Sequence, residues 1–191
     1  MKILVFDVET TFINKKEPDL SKQPHIVQFA IMEIKDNKFF ETKRINQLIK
    51  PPIPIPFSAS KVHHIYDVDV QKSPSINEKI DEFLDMINGV DVIVHNIEYD
   101  QDMINLELKR LIEYKYKPKQ IFCTMKSTVD FCQIKNERFK YPRLELYRKL
   151  FEFFIAHDAM VDVEATLKVF LELKNNIIDV KKPKEEVMSL F

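Results

Sequence analysis

Lys2-Ile3-Leu4-Val5-Phe6-Asp7-Val8-Glu9-Thr10-Thr11 opens the chain with an apolar run that ends in two acids spaced two residues apart. The run predicts a β-strand. Side chains alternate between the two faces of a strand, so Asp7 and Glu9 point to the same side and converge at its C-terminal end. Two carboxylates held that close repel unless positive charge lies between them, and hard divalent cations take oxygen ligands. The pair reads as half of a metal site, with an acidic strand end at the surface as the alternative.

Two later stretches carry acids in comparable places. His95-Asn96-Ile97-Glu98-Tyr99-Asp100 follows the apolar run Val90-Asp91-Val92-Ile93-Val94, and His157-Asp158-Ala159-Met160-Val161-Asp162 precedes a third patterned segment. The three stretches resemble the sequence blocks of the DEDDh exonucleases, the family of the proofreading epsilon subunit of bacterial DNA polymerase III. Those blocks read Asp-x-Glu-Thr-Thr, His-Asn-x-x-Phe-Asp, and His with an Asp five positions later. The resemblance runs in order from residue 2 to about residue 175. It implies an α/β, RNase H-like (exonuclease) fold: a five-stranded mixed central sheet flanked by helices, with Asp7 and Glu9 on the middle strand.

Cleaving a phosphodiester requires charge stabilisation on the phosphoryl oxygens, an activated water and help for the leaving 3′-oxygen, all of which paired metal ions supply. The resemblance implies that Asp7, Glu9, Asp100 and Asp162 hold two Mg²⁺ or Mn²⁺ ions. Asp7 would bridge them, Glu9 and Asp162 would serve the ion on the nucleophile side, and Asp100 would support the other. His157 would be the general base, for which an unperturbed pKa near 6.5 is suited. A surface histidine before a helix is the alternative. Thr10 and Thr11 sit where similar enzymes hold the terminal nucleotide, with Phe12 beside them as a further substrate contact, and the family-matched His95 and Asn96 would orient the site or substrate, with His63 matching the family's His-Gly-Ile block. Strand-end threonines and a structural His–Asn pair are the rival readings.

Phe12 stands where the family usually has glycine, as does His64 in Val62-His63-His64-Ile65. If those positions need a positive φ, both residues are strained. Gly89 is the only glycine in the chain.

At 191 residues and 45% hydrophobic content, the chain is long enough for one globular domain with a substantial core. Lys plus Arg number 29 against 30 Asp plus Glu, a net charge of −1, so any phosphate contact has to be local. A strand beginning at residue 2 leaves no room for a leader, and no run approaches the ~18 apolar residues of a membrane span, so a soluble cytoplasmic protein is expected. Cys123 and Cys132 form no zinc-ligand set and read as buried free thiols.

Segments 25–34 and 39–49 predict a hairpin joined at Lys35-Asp36-Asn37-Lys38 and paired with the first strand. Pro51-Pro52-Ile53-Pro54-Ile55-Pro56 predicts an extended connector, with a peptide ligand for a partner domain as the alternative. Ser75-Ile76-Asn77-Glu78 has the form of a capping box opening a helix that ends at Asn88-Gly89. Strands are expected over 91–95 and 120–124, and helices over 100–114, 144–154 and 162–173. The basic and aromatic stretch 136–143 fits either stacking on single strands or a solvated loop. Lys115, Lys117 and Lys119 read as a soluble loop.

Residues 1–176 are expected to form the catalytic domain and 177–191 a charged tail. The terminus Val187-Met188-Ser189-Leu190-Phe191 resembles the Gln-Leu-Ser-Leu-Phe peptides that bind bacterial sliding clamps, with Val187 in place of Gln. Met188, Leu190 and Phe191 would be the anchors for a clamp or polymerase, and folding back onto the domain is the alternative.

The resemblance implies a 3′→5′ exonuclease that releases nucleoside 5′-monophosphates from single-stranded or frayed DNA, in proofreading, repair or end trimming. An RNA or oligoribonucleotide exonuclease of the same fold is a rival, separated from it by its response to a 2′-OH. A haloacid-dehalogenase-type phosphatase is a second, since residues 3–10 approach its Asp-x-Asp-x-Thr loop, and a trapped aspartyl-phosphate would identify it. A non-catalytic polymerase- or clamp-associated subunit is a third, though such proteins usually lose the metal ligands kept here.

Overall fold

The computed structural model describes residues 2–12, 18–35, 40–111, 115–129 and 157–179. Five strands form one mixed sheet: β1 (Lys2–Thr10), β2 (Ile26–Lys35), β3 (Phe40–Leu48), β4 (Asp91–Val94) and β5 (Gln120–Cys123), in the order β3-β2-β1-β4-β5. The hairpin β2–β3 is antiparallel and β2 pairs antiparallel with β1, whereas β1, β4 and β5 run parallel. The strand carrying Asp7 and Glu9 is therefore central, as expected.

Both faces of the sheet are covered, and the alternation along β1 divides the core. Leu4, Phe6 and Val8 face a cluster closed by α3 (Ile76–Ile87) and α4 (Ile97–Leu111), through Phe83, Ile87, Met103 and Leu108. Phe29 of β2 stacks on Phe83 with ring centroids 4.1 Å apart. Ile3 and Val5 face the opposite cluster with Ala159, Val163 and Phe170 of the last helix, α6 (Ala159–Asp179). Fully burying side chains of this size stabilises by ~1.5–3 kcal/mol each.

Several boundaries differ from expectation for local reasons. Helix α4 begins at Ile97 rather than Asp100, because the Asn96 carbonyl already accepts from the Tyr99 and Asp100 N–H groups at 3.0 and 3.2 Å. Helix α6 begins at Ala159 rather than Asp162, because Asp158 caps it: Oδ1 accepts from Met160 N at 3.0 Å and Val161 N at 3.1 Å. The box at Ser75 forms, with its N–H donating to Glu78 Oε2 at 2.8 Å. Gly89 follows α3 with φ +66°.

Residues 51–56 form neither helix nor strand, but two short helices not foreseen follow them, α1 (Phe57–His63) and α2 (Asp67–Val70). Helix α1 ends on His64 with φ 59°, the left-handed conformation that glycine adopts most readily. Phe12 is not in that region; the other non-glycine residue that is, among those described, is His157 at φ 71°. A further short helix, α5 (Thr124–Ser127), follows β5. Cys123 is a buried free thiol. Among the described residues no helix is long and apolar enough to cross a membrane. The expected helix 144–154, the stretch 136–143, Cys132 and the tail anchors Met188, Leu190 and Phe191 lie outside the described residues.

Candidate metal centre

Asp7 and Glu9 continue the face of β1 that Ile3 and Val5 occupy, past the point where apolar packing stops. That carries both carboxylates toward the N-terminus of α6. Parallel pairing of β1 with β4 brings the C-terminal end of β4 alongside, and the chain leaves it through His95 and Asn96 into α4, whose first turn holds the buried Asp100. The buried Asp162 lies in the first turn of α6 and accepts from the His157 N–H at 3.1 Å. Glu9, His157 and Asp162 each offer one ligand atom, and these atoms lie within 4.8 Å of one another.

The electrostatics tie the remaining two acids to this group. Desolvation, then the charges of Asp100, Asp162, Glu9 and Asp158, push the Asp7 carboxyl well above the usual range. Asp100 is pushed up by burial and by Glu9 and Asp162, partly offset by the Val8 N–H. Glu9 is pushed up to about 8 by burial and Asp162, with His157 acting in the opposite sense. Asp100 Oδ2 is buried and meets no hydrogen-bond donor among the described residues. Carboxylates gathered at such a cost form a donor set for hard cations, and the residues present fit divalent metal ions.

The other expected contacts border this group. Thr10 Oγ1 donates to the Phe12 carbonyl at 2.9 Å and is hydrogen-bonded to the Tyr99 hydroxyl. Thr11 is fully buried: its N–H donates to the His25 carbonyl at 2.9 Å and its hydroxyl accepts from the His25 N–H at 3.0 Å. His63 Nδ1 accepts from Ile65 N at 3.1 Å, and its Nε2 is buried. Burial holds the His63 pKa below its ordinary value. His95 Nδ1 lies 3.0 Å from Thr124 Oγ1, and the His95 carbonyl accepts from Met125 N at 3.2 Å. Asn96 starts α4 through its carbonyl.

Three residues here were not singled out from sequence. Tyr99 donates to the Phe12 carbonyl at 3.3 Å as well as meeting Thr10, so it ties the second acidic block to the loop after β1. Asp158 caps α6, a role its position before Ala-Met-Val signals. Gln28 is buried on β2 opposite Glu9 and reaches that cap; a lone amide inside an apolar run was the available clue.

The exonuclease family model designated RNase_T matches residues 4–170. The chain belongs to this exonuclease family. Among its relatives, the epsilon subunit of DNA polymerase III from Buchnera aphidicola subsp. Schizaphis graminum is 31% identical over 128 residues, covering 67% of this chain and 54% of the relative. The PolC-type DNA polymerase III of Caldanaerobacter subterraneus subsp. tengcongensis is 26% identical over 186 residues, covering 94% of this chain and 12% of the relative. The chain thus spans about half of the first protein and a small part of the second.

Exonuclease I of E. coli in complex with a dT13 oligonucleotide superposes with a TM-score of 0.72 at 16% identity, over 94% of this chain and 42% of that one. A zinc-bound form of the E. coli enzyme with single-stranded DNA gives 0.68 at 18% identity, over 93% and 43%. These structures establish the exonuclease fold. Family membership sets aside the phosphatase reading of residues 3–10.

Proposed function

We propose that this exonuclease-family chain is a divalent-metal-dependent 3′→5′ exonuclease that removes nucleoside 5′-monophosphates from single-stranded or frayed DNA ends. The observation that carries the proposal is the convergence of Asp7, Glu9, Asp100 and Asp162, brought from β1, α4 and α6, beside the imidazole of His157. Two Mg²⁺ or Mn²⁺ ions bound there would supply charge stabilisation for the phosphoryl group and the leaving oxygen.

The chain's own groups do the rest. Asp7, central in the cluster, would hold both ions; Glu9 and Asp162 would hold the one nearer His157, and Asp100 the other. His157 takes the proton of the attacking water at an imidazole nitrogen. The Asp162 carboxylate, accepting from the His157 N–H, anchors the backbone from which that imidazole projects. The Thr10–Phe12 loop, tied down by Tyr99 and His25, and the neighbouring His63, His95 and Asn96 form the seat for the terminal nucleotide. Phe12, half-buried at the end of that loop, would stack on a base. The catalytic unit would span residues 1–176, with Met188, Leu190 and Phe191 docking on a sliding clamp.

The test is a gel of 5′-labelled single-stranded DNA, duplex DNA and RNA incubated with Mg²⁺, Mn²⁺ or EDTA. A ladder shortening from the 3′ end, strongest on single-stranded DNA and abolished by EDTA, is expected. Internal cuts, or cleavage that persists in EDTA, would overturn the proposal.

A further inference from the structure

The buried amide of Gln28 joins the sheet to the turn carrying His157. Gln28 lies opposite Glu9 on β2. Its Oε1 accepts from Ala159 N, the first residue of α6, at 3.0 Å. Its Nε2 donates to Asp158 Oδ2 at 3.2 Å and to Asn46 Oδ1 of β3 at 2.9 Å. The amide has only one workable orientation: the Ala159 N–H needs an acceptor, and the two oxygens need donors. Asp158 uses its other oxygen to cap α6, so Gln28 bonds both the first main-chain N–H of that helix and the residue that caps it.

We propose that Gln28 is a positioning residue of the metal site: it fixes the start of α6 against β2, and with it the distance from His157 and Asp162 to Glu9. A buried amide that loses its partners leaves donors and acceptors unsatisfied away from water, so these three bonds hold the junction to one geometry. The left-handed backbone of His157 gives the turn a second reason to need a tether. Residues that orient metal ligands without touching the metal typically change affinity or rate by about 10- to 100-fold when removed. The inference rests on the exonuclease reading, so its test includes readouts that do not depend on activity.

Gln28→Leu keeps the bulk of the side chain and removes both bonding ends. In the full chain, the expected results are at least about tenfold faster exchange of the Ala159 amide and about 10- to 100-fold weaker Mn²⁺ binding by electron paramagnetic resonance. Turnover should fall by a similar factor while KM stays within about twofold. Gln28→Glu sets a carboxylate against Asp158 and Asn46 and should be impaired in the same way. Adding Asp158→Asn gives the new oxygen a donor and should restore both affinity and turnover; this pair carries the test if the leucine variant does not fold. Unchanged exchange at Ala159 overturns the inference. So does faster exchange with Mn²⁺ affinity and turnover within about twofold of wild type, since Gln28 would then be a tie for stability only. A wild-type protein inactive on every substrate would sink the exonuclease reading, while the exchange and Mn²⁺ measurements would still decide on Gln28.

Discussion

Asp7 is acted on by four other carboxylates, and each of them raises its pKa. Without metal, ionised Asp7 is a liability to the fold. Asp7→Asn should therefore lower nuclease activity by on the order of 10²–10³-fold or more while raising the melting temperature of the protein in EDTA by a few degrees. Full activity, or a lower melting temperature, would remove Asp7 from the site. His157→Ala separates base from ligand, because His157 also lies within ligand distance of Glu9 and Asp162. A loss of about 10²–10⁴-fold in turnover with unchanged Mn²⁺ affinity is expected of a base. A parallel loss of Mn²⁺ affinity would make it a ligand. Strand alternation made the Asp7–Glu9 pair legible, whereas His157, Asp100 and Asp162 were marked by the motif spacings of the family that the sequence resembles. Gln28 and Asp158 were not, since their contact joins positions 130 apart in the chain and no local pattern encodes it.

At the scale of elements, the two helix starts missed from sequence share a cause. Apolar periodicity marks where a helix is packed, whereas caps mark where it begins, and Asn96 and Asp158 act before the periodic residues start. Helices α1 and α2 escaped because neither is long enough for periodicity to show. The sheet was readable from its apolar runs and turn signals, and strands 91–95 and 120–124 each ended one residue early. Helix α1 also carries a strained cap. His64 at φ 59° lacks the freedom glycine has there, and its N–H donates to the Ser60 carbonyl at 2.8 Å, so the conformation is held by the helix end. His64→Gly should stabilise the protein by ~1 kcal/mol, a rise of roughly 2–4 °C in melting temperature for a chain of this size. A fall would mean that the His64 side chain makes a contact worth more than the relief of strain.

The whole molecule carries a net charge of −1, yet concentrates several carboxylates at one end of the sheet. Two bound divalent cations would neutralise that end and make the net charge positive, drawing a phosphate backbone to the place where it is cut. The same concentration makes stability depend on pH. Glu9 has an ordinary pKa of 4.5 and is pushed up to about 8 in the fold, and Asp7 and Asp100 move in the same direction. An acid whose pKa is raised on folding holds its proton longer in the native state, so its stabilising effect is complete below 4.5 and disappears as pH rises through about 8. His63 acts oppositely: buried and neutral, it lowers stability as pH falls below its ordinary 6.5. Glu107, held low by His25 and Arg110 despite its burial, contributes stability that is lost only in acid, below 4.5. The window from pH 6.5 to 8 therefore lies above the ordinary values of His63 and Glu107 and within the range over which Glu9 loses its proton. In EDTA the melting temperature should fall by several degrees across it, and saturating Mg²⁺ should raise it more at pH 8 than at pH 6.5, because bound cations take over the role of the lost protons. A thermal scan showing a flat profile in EDTA, or an equal Mg²⁺ shift at both ends, would mean that these carboxylates do not share the cations.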